Sequence, residues 1–157
     1  MSTIGRIFTF AAGSAPTTYT LSTYAFTANT SLVSLNFAMQ ADEGNNRYWL
    51  LDNVSVNRTN TNTNVLINGN FETGDLTGWT QYCATTANCA GALFFGRVTN
   101  TSCYMGKFCY VDKCDINNRF DYLTQSFNTV IGESYIVSFY LRLFSSGGGR
   151  MAYVSLT

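Results

Sequence analysis

ESYIVSFYLRLF, residues 133–144, alternates buried-type side chains at Tyr135, Val137, Phe139 and Leu141 with other residues between them. Residues 31–39, SLVSLNFAM, repeat this period of two, which is typical of a β-strand with one buried face. The pattern predicts strands at 6–10, 17–27, 31–39, 47–56, 64–71, 92–98, 107–112, 120–128, 133–144 and 150–157. Many short strands in a chain of this length predict an all-β, two-sheet sandwich of jelly-roll type.

The composition excludes several functional classes. The chain has 157 residues, nine basic and nine acidic side chains, and no histidine. So few cations cannot neutralise a run of phosphates, which excludes binding of nucleic acid. The sequence lacks the ~18 continuous apolar residues of a membrane helix, so we expect no membrane insertion. Without histidine, catalysis of the Ser/His/Asp or Cys/His type is excluded as well.

The acidic residues show no catalytic pattern. A glycosidase needs two carboxyl groups that face each other across a groove. Asp112, Asp115 and Asp121 form the one acidic cluster in the sequence, and no motif surrounds them. We interpret them as turn-forming or solvated side chains. The sequence therefore predicts a protein that is not an enzyme.

The cysteines indicate an oxidising compartment. Cys83, Cys89, Cys103, Cys109 and Cys114 lie close together, a density typical of disulfide-bonded secreted proteins. Their gaps do not match the paired spacings of a zinc site. An odd number leaves at least one thiol free or bonded to another chain, and Cys114 is a candidate for such a link. The sequence predicts a secreted, extracellular protein, and the spacing does not determine the disulfide pairing.

The chain also carries candidate glycosylation sites. Asn-x-Ser/Thr acceptors occur at Asn29, Asn53, Asn57 and Asn100. Asn57 is the strongest of them because it opens a polar run, residues 57–64, that the sequence predicts to be exposed. Candidate threonines for sugar attachment in this run are Thr59, Thr61 and Thr63.

Four segments carry a resemblance to a known fold. Residues 64–79, NVLINGNFETGDLTGW, resemble the opening of galactose-binding-like jelly-roll domains, the fold of many carbohydrate-binding modules. Residues 123–127 and 132–141 resemble the middle strands of that fold, and residues 48–56, YWLLDNVSV, resemble its last strand. The closing strand therefore precedes the opening, and the order is circularly shifted.

The shifted order divides the chain into residues 1–57, the C-terminal half of a jelly roll, residues 58–63, an Asn/Thr linker, and residues 64–157, the N-terminal half. A circular permutant, one period of a tandem array and subunits that exchange halves all produce this order. Each half alone would expose unpaired sheet edges, so a partner for each half is expected. Residues 1–15 do not match a signal peptide, which favours a piece of a longer array.

Two functions follow from this order and from the resemblance. The first is a non-enzymatic structural glycoprotein module, the repeat unit of an extracellular fibril or surface array. In that case neighbouring copies of the chain, joined end to end, complete each other's jelly rolls. The alternative is a carbohydrate-binding module, which the resemblance implies but a fold alone does not establish.

The resemblance also implies site residues. Asp52 and Glu72 match positions that hold a structural Ca²⁺ where the first and last strands of the fold meet, and Asn70 offers a further oxygen ligand. The alternative is that Asp52 accepts a hydrogen bond in a turn and Glu72 is solvated. Tyr82 and Tyr104 are the favoured glycan-binding rings. Trp49 and Trp79 lie in the motif segments and are expected in the core.

Overall fold

The computed structural model describes residues 5–11, 13–42, 46–145 and 150–157, and its regular structure is almost entirely β. The strands are β1 (Gly5–Ala11), β2 (Thr20–Thr27), β3 (Leu32–Gln40), β4 (Tyr48–Arg58), β5 (Thr63–Asn64), β6 (Thr80–Tyr82), β7 (Arg97–Thr99), β8 (Cys109–Asp112), β9 (Asp121–Asn128), β10 (Ser134–Phe144) and β11 (Met151–Leu156). One short helix, α1 (Thr86–Cys89), precedes β7. In these ranges, no helix has the length and apolar character that crossing a bilayer requires.

The strands form two antiparallel sheets that pack face to face. Sheet 1 has the order β1-β11-β3-β9-β6, sheet 2 has the order β2-β10-β4-β8-β7, and β5 pairs with β4. Their inner faces share one hydrophobic core that includes Phe37, Trp49 and Phe139. The prediction of an all-β, two-sheet sandwich is confirmed.

Strand β10 shows how the alternation of the sequence builds this core. Its side chains from Tyr135 to Leu143 at every second position are at most 2% exposed. The Phe139 ring lies 5.3 Å from the Phe37 ring and 5.4 Å from the Phe8 ring, both edge-on, and thereby joins the two sheets. Full burial of a side chain of this size stabilises the fold by about 1.5–3 kcal/mol.

The predicted strand at 64–71 is wrong beyond Asn64. The Asn64 side chain accepts the backbone N–H groups of Val56 and Leu66, both at 3.1 Å, and such side-chain bonds compete with a strand ladder. Phe71 has a positive φ, which a strand does not accommodate. Gly69 lies against β4 so closely that a Cβ there would be 1.9 Å from the Val54 carbonyl oxygen. The segment therefore runs as irregular chain along β4.

Smaller differences concern the loops between β5 and β9. The predicted strand at 92–98 shortens and shifts to β7, the strand predicted at 107–112 shortens to β8, and β6 has no predicted counterpart. Three-residue strands are too short to show a hydrophobic period, so sequence patterns do not reveal them.

The two predicted halves interleave within the single chain. In sheet 1, β1 and β3 alternate with β11 and β9, and in sheet 2, β2 and β4 flank β10. Each half thus supplies the strand neighbours that the other needs. The chain forms the sandwich from its own strands in this structure, and completion between neighbouring chains stays a prediction.

Residues 59–62 form the turn between β4 and β5. The Thr59 hydroxyl donates to the Ser134 carbonyl at 3.1 Å, and the Asn60 amide donates to Glu133 Oε2 at 2.6 Å. Arg58 forms an ion pair with Glu133 at 3.4 Å. The Asn/Thr run is therefore an exposed turn that is anchored to the connection between β9 and β10.

Two disulfides cross-link the part of the chain between residues 89 and 114. Cys89 in α1 bonds Cys114, and Cys103 bonds Cys109. The prediction of disulfides is confirmed for these four cysteines. It is wrong for Cys83, which is an exposed free thiol, and Cys114 is not available for an interchain link because it is paired within the chain.

Candidate functional site

The outer surface of sheet 1 carries a row of aromatic side chains. Cross-strand pairing places Tyr82 beside Tyr122, Tyr122 beside Ala38, and Ala38 beside Tyr153. Antiparallel partners lie on the same side of a sheet, and these positions alternate with the buried ones. Tyr82 is 56% exposed and Tyr122 is 37% exposed. The row crosses four strands and is interrupted only by the small side chain of Ala38.

Ala38 forms the floor of a groove between two rings. Tyr122 and Tyr153 are two strand spacings apart, about 10 Å. The groove has a volume of about 420 Å³, and Arg6 and Phe120 complete its aromatic and cationic lining. Sites for small ligands measure about 300–1,000 Å³, so this groove is large enough for one. We call the surface formed by Tyr82, Tyr122, Tyr153, Phe120 and Arg6 the aromatic face.

Contacts within the aromatic face hold its rings in place. The Arg6 guanidinium carbon lies 3.6 Å from the centroid of the Tyr153 ring, and the Phe120 ring lies 5.5 Å from the same centroid. A cation over a ring contributes about 0.5–1 kcal/mol at an exposed site. Because a guanidinium carries five N–H donors, stacking leaves donors that can bind a ligand. Tyr153 is thereby oriented before any ligand arrives.

A polar row runs beside the aromatic row. Cross-strand pairing orders it as Arg6, Ser155, Asn36, Thr124 and Thr80. The Thr124 hydroxyl donates to Asn36 Oδ1 at 2.9 Å. Ser155 also lines the groove. Rings and hydrogen-bonding groups therefore lie side by side, the combination that small-molecule sites use for affinity and for specificity.

The structure separates the two tyrosines that the sequence favours. Tyr82 belongs to the aromatic face, whereas Tyr104 lies over sheet 2, with its ring stacked on the Tyr140 ring at 4.0 Å. Trp49 and Trp79 are 0% and 7% exposed, which confirms that both fill the core. Of the two tyrosines and two tryptophans considered from the sequence, only Tyr82 lies on the same side of the molecule as the groove.

Asp52 and Glu72 lie on either side of a disulfide-closed loop, residues 103–109. Asp52 Oδ2 accepts the backbone N–H groups of Tyr104 at 2.9 Å and Met105 at 3.0 Å. Glu72 Oε1 accepts the N–H groups of Lys107 and Phe108, both at 2.8 Å. We call these two side chains the carboxylate clamp, because together they accept four backbone N–H groups of the loop, two before and two after Gly106.

The carboxylate clamp does not fit a Ca²⁺ ion. A cation needs oxygen lone pairs aimed at it, yet Asp52 Oδ1 also accepts an N–H, that of Asn53 at 2.7 Å. Asn70 Oδ1, the third expected ligand, accepts the N–H of Glu72 at 3.3 Å. Burial raises the pKa of Asp52, and the charge of Glu72 raises it further, while the three backbone N–H groups oppose that rise. Backbone N–H groups therefore compensate the charges of Asp52 and Glu72, the role that the sequence assigned to a metal ion.

A second pair of acids is buried between the sheets. Asp112 in β8 and Asp121 in β9 are each 1% exposed, and their carboxyl groups hydrogen-bond each other. Cys114 N–H donates to Asp112 Oδ1 at 2.9 Å, and Gly96 N–H donates to Asp121 Oδ2 at 2.6 Å. The prediction of solvated side chains is wrong for both acids, because they lie between the two sheets inside the core. The prediction of a turn-forming role holds for Asp112, whose Oδ1 accepts the N–H two residues further on.

The surroundings of this acid pair favour its protonated form. Burial and the neighbouring carboxyl group raise the pKa of Asp112 well above its ordinary value, and burial also raises the pKa of Asp121. Asp121 Oδ1 has no N–H or amide donor in the described part of the chain. A proton on Asp112 supplies that donor. Neither carboxyl group reaches solvent, so we interpret the pair as part of the core and not as a binding site.

The candidate glycosylation sites differ in exposure. Asn29 and Asn100 are exposed, whereas Asn53 and Asn57 are half-buried. Asn57 lies within β4 and pairs with Ile136 and Asn64, so the exposed run begins after it and the reason for preferring Asn57 is wrong. Thr59, Thr61 and Thr63 are exposed, as expected.

Sequence reasoning missed several residues of the aromatic face. Arg6, Phe120 and Tyr153 come from distant parts of the chain, and only the pairing of β1, β11, β3 and β9 brings them together. The alternation in residues 121–128 places Tyr122 on the other face of the strand from the buried Leu123, so the sequence does predict that Tyr122 points outward.

A scan against protein-family models found no match, and searches of curated proteins and of solved structures found none. Function has to be inferred from the site itself, because a fold hosts many unrelated functions.

Proposed function

We propose that this chain is a secreted, non-enzymatic carbohydrate-binding module whose aromatic face binds glycan. The observation that carries the proposal is the groove in which Tyr122 and Tyr153 stand on either side of Ala38. The two disulfides support an oxidising, extracellular setting.

Sugar chemistry fits such a groove. A pyranose ring has weakly positive C–H faces and a rim of hydroxyl groups. The faces of aromatic rings are electron-rich and attract such C–H groups. Arg6 and Ser155, at the groove edge, supply groups that hydrogen-bond hydroxyls. An uncharged polysaccharide is therefore the ligand class that this surface favours.

The test is retention on insoluble and gel-embedded polysaccharides, followed by calorimetry with the oligosaccharide that binds. Truncation of an anchoring ring costs about 2 kcal/mol, so we expect Tyr153→Ala and Tyr122→Ala to bind roughly 30-fold more weakly. Tyr104→Ala is the matched control, because Tyr104 is also exposed but lies over sheet 2. Equal retention of all three variants, or no retention of the unmodified protein on any polysaccharide, would contradict the proposal.

We also propose that the sandwich is a galactose-binding-like jelly roll in circularly shifted order. The pairing of β1 with β11 supports this, because Gly5 lies opposite Leu156 as in the two arms of a hairpin. A chain that starts at residue 64 and continues from Thr157 into Met1 through a short connection would keep the strand pairs of both sheets except that of the two-residue strand β5, which this cut divides. Such a permutant is expected to fold and to retain the unfolding midpoint of the original chain.

A second candidate function is a structural module that assembles by exchange of halves. The specific observation is that the strands before Thr59 alternate with those after Asn62, while only the 59–62 turn joins the two sets. If that turn opened, the same strand pairs would form between neighbours and would build a fibril or surface array. Electron microscopy and light scattering of native material test this candidate. Filaments with a one-domain repeat support it, and monomers at all concentrations contradict it.

A further inference from the structure

The outer surface of sheet 2 holds a smaller pocket, on the opposite side of the sandwich from the aromatic face. It is lined by Tyr48, Leu50, Arg97, Thr99, Thr101, Val111 and Lys113, none of which is acidic. Its volume is about 140 Å³, below the range of sites for whole small molecules. The pocket therefore has room for a single small group.

Cations dominate this pocket. Burial, together with the positive charge of Arg97, lowers the pKa of Lys113, which shows that the two charges are close. Arg142 lies in the same cross-strand row as Arg97, with Leu50 and Val111 between them. The Nε atom of Arg142 is buried and has no hydrogen-bond partner in the described residues. Three cations thus share one face of a chain whose net charge is zero.

The cations are held in position by their neighbours. Arg97 donates a hydrogen bond to the Leu93 carbonyl. Lys113 Nζ lies 4.3 Å from the centroid of the Tyr48 ring, which in turn stacks on the Phe144 ring at 4.7 Å. A guanidinium and an ammonium that are fixed in this way do not have to be ordered when a ligand binds, which favours binding.

We propose that this pocket binds one oxyanion group, a sulfate or a carboxylate, as a free ion or as a substituent of a glycan. Arg97 supplies paired N–H donors that match the oxygens of such a group, and Lys113 supplies a point charge. The hydroxyls of Thr99 and Thr101 line the same pocket and can donate to the remaining oxygens. The apolar floor of Leu50 and Val111 lowers the local dielectric and strengthens these contacts. The site is independent of the aromatic face.

The test is an NMR titration of the ¹⁵N-labelled protein with sodium sulfate against sodium chloride at matched ionic strength. We expect saturable shifts of the Arg97, Thr99 and Thr101 amides with sulfate alone. Because Arg97 would supply charge-assisted hydrogen bonds, Arg97→Gln is expected to bind at least about tenfold more weakly. Arg97→Lys, which keeps the charge, is expected to lose less, and Lys107→Gln, a charge change outside the pocket, to lose nothing.

Non-saturable shifts, or equal affinity in Arg97→Gln and Lys107→Gln, would overturn the proposal. The amide spectrum of each variant shows whether it is folded. A second arm compares retention on chondroitin sulfate and on its desulfated form. Sulfate-dependent retention that Arg97→Gln abolishes assigns the group to a glycan, and binding of inorganic sulfate alone assigns it to a free ion. Tyr153→Ala should leave both readouts unchanged, which distinguishes this site from the aromatic face.

Discussion

Replacement of Asp112 by Asn should change how the stability of the protein depends on pH. Asp112 lies buried beside Asp121 between the sheets, and burial, together with the neighbouring carboxyl group, raises the pKa of Asp112 in the fold. An acid with a raised folded-state pKa stabilises the fold fully below its unfolded pKa of about 4, and that contribution is lost as the pH rises toward the folded value. Within this window each pH unit costs the unmodified protein about 1.4 kcal/mol.

The Asn side chain mimics the protonated acid. Its oxygen can still accept the Cys114 N–H, and its amide can donate to Asp121 Oδ1. The variant carries no titrating proton at this position. We therefore expect Asp112→Asn to gain stability relative to the unmodified protein by about 1.4 kcal/mol per pH unit from pH 5 upward, until the pair of the unmodified protein ionises.

Urea unfolding monitored by tryptophan fluorescence between pH 4 and pH 8 measures this difference, because Trp49 and Trp79 are both buried. Asp75 provides a control of opposite sign, since hydrogen bonds from Thr77 and Thr73 lower its pKa. Asp75→Asn should lose stability at neutral pH and approach the unmodified protein below pH 4. If the free energies of unfolding of Asp112→Asn and of the unmodified protein change with pH in parallel, the raised pKa of the buried acid pair is refuted.

Three further outcomes are expected. EDTA should leave the unfolding midpoint unchanged, because N–H groups already occupy the carboxylate clamp; a loss of several degrees that Ca²⁺ restores would contradict this. Loss of the Cys89–Cys114 bond, which spans 25 residues, should lower the free energy of unfolding by roughly 3 kcal/mol. Loss of the Cys103–Cys109 bond, which spans 6 residues, should lower it by roughly 2 kcal/mol. Urea unfolding of variants with both cysteines of a pair replaced by Ala measures the two losses. A thiol reagent should modify Cys83 without denaturant, at one equivalent per chain; zero or two equivalents would refute the pairing.

The period-two patterns predict most of the fold because each long strand carries its own signal. The strand predicted at 31–39 differs from β3 by one residue at each end, and the strand predicted at 133–144 differs from β10 by one residue at its start. The same alternation also places Asp121 inward with Leu123, so the burial of one member of the acid pair was readable from the sequence. Its partner was not, because which strands face each other across a core depends on contacts far apart in the chain.

The sites were harder to predict for the same reason. Tyr82 is next to Tyr122 only because the three-residue strand β6 pairs with β9. The structure does bring Asp52 and Glu72 near each other, since the charge of Glu72 contributes to the raised pKa of Asp52. The sequence does not show that the loop of residues 103–109 turns its N–H groups toward both carboxylates.

The exposed rings beside the groove support a function of the aromatic face. Over sheet 2, the loop that ends at Cys109 covers Leu50 and Val111 and forms a second small hydrophobic cluster, so apolar groups there contribute to stability. Over sheet 1, in the part of the chain that the structure describes, Tyr82 and Tyr122 remain exposed beside a groove. The outer face of a sheet whose other face already packs on the core is ordinarily polar. Packing on the core therefore does not account for these rings, which supports the proposed contact with a ligand.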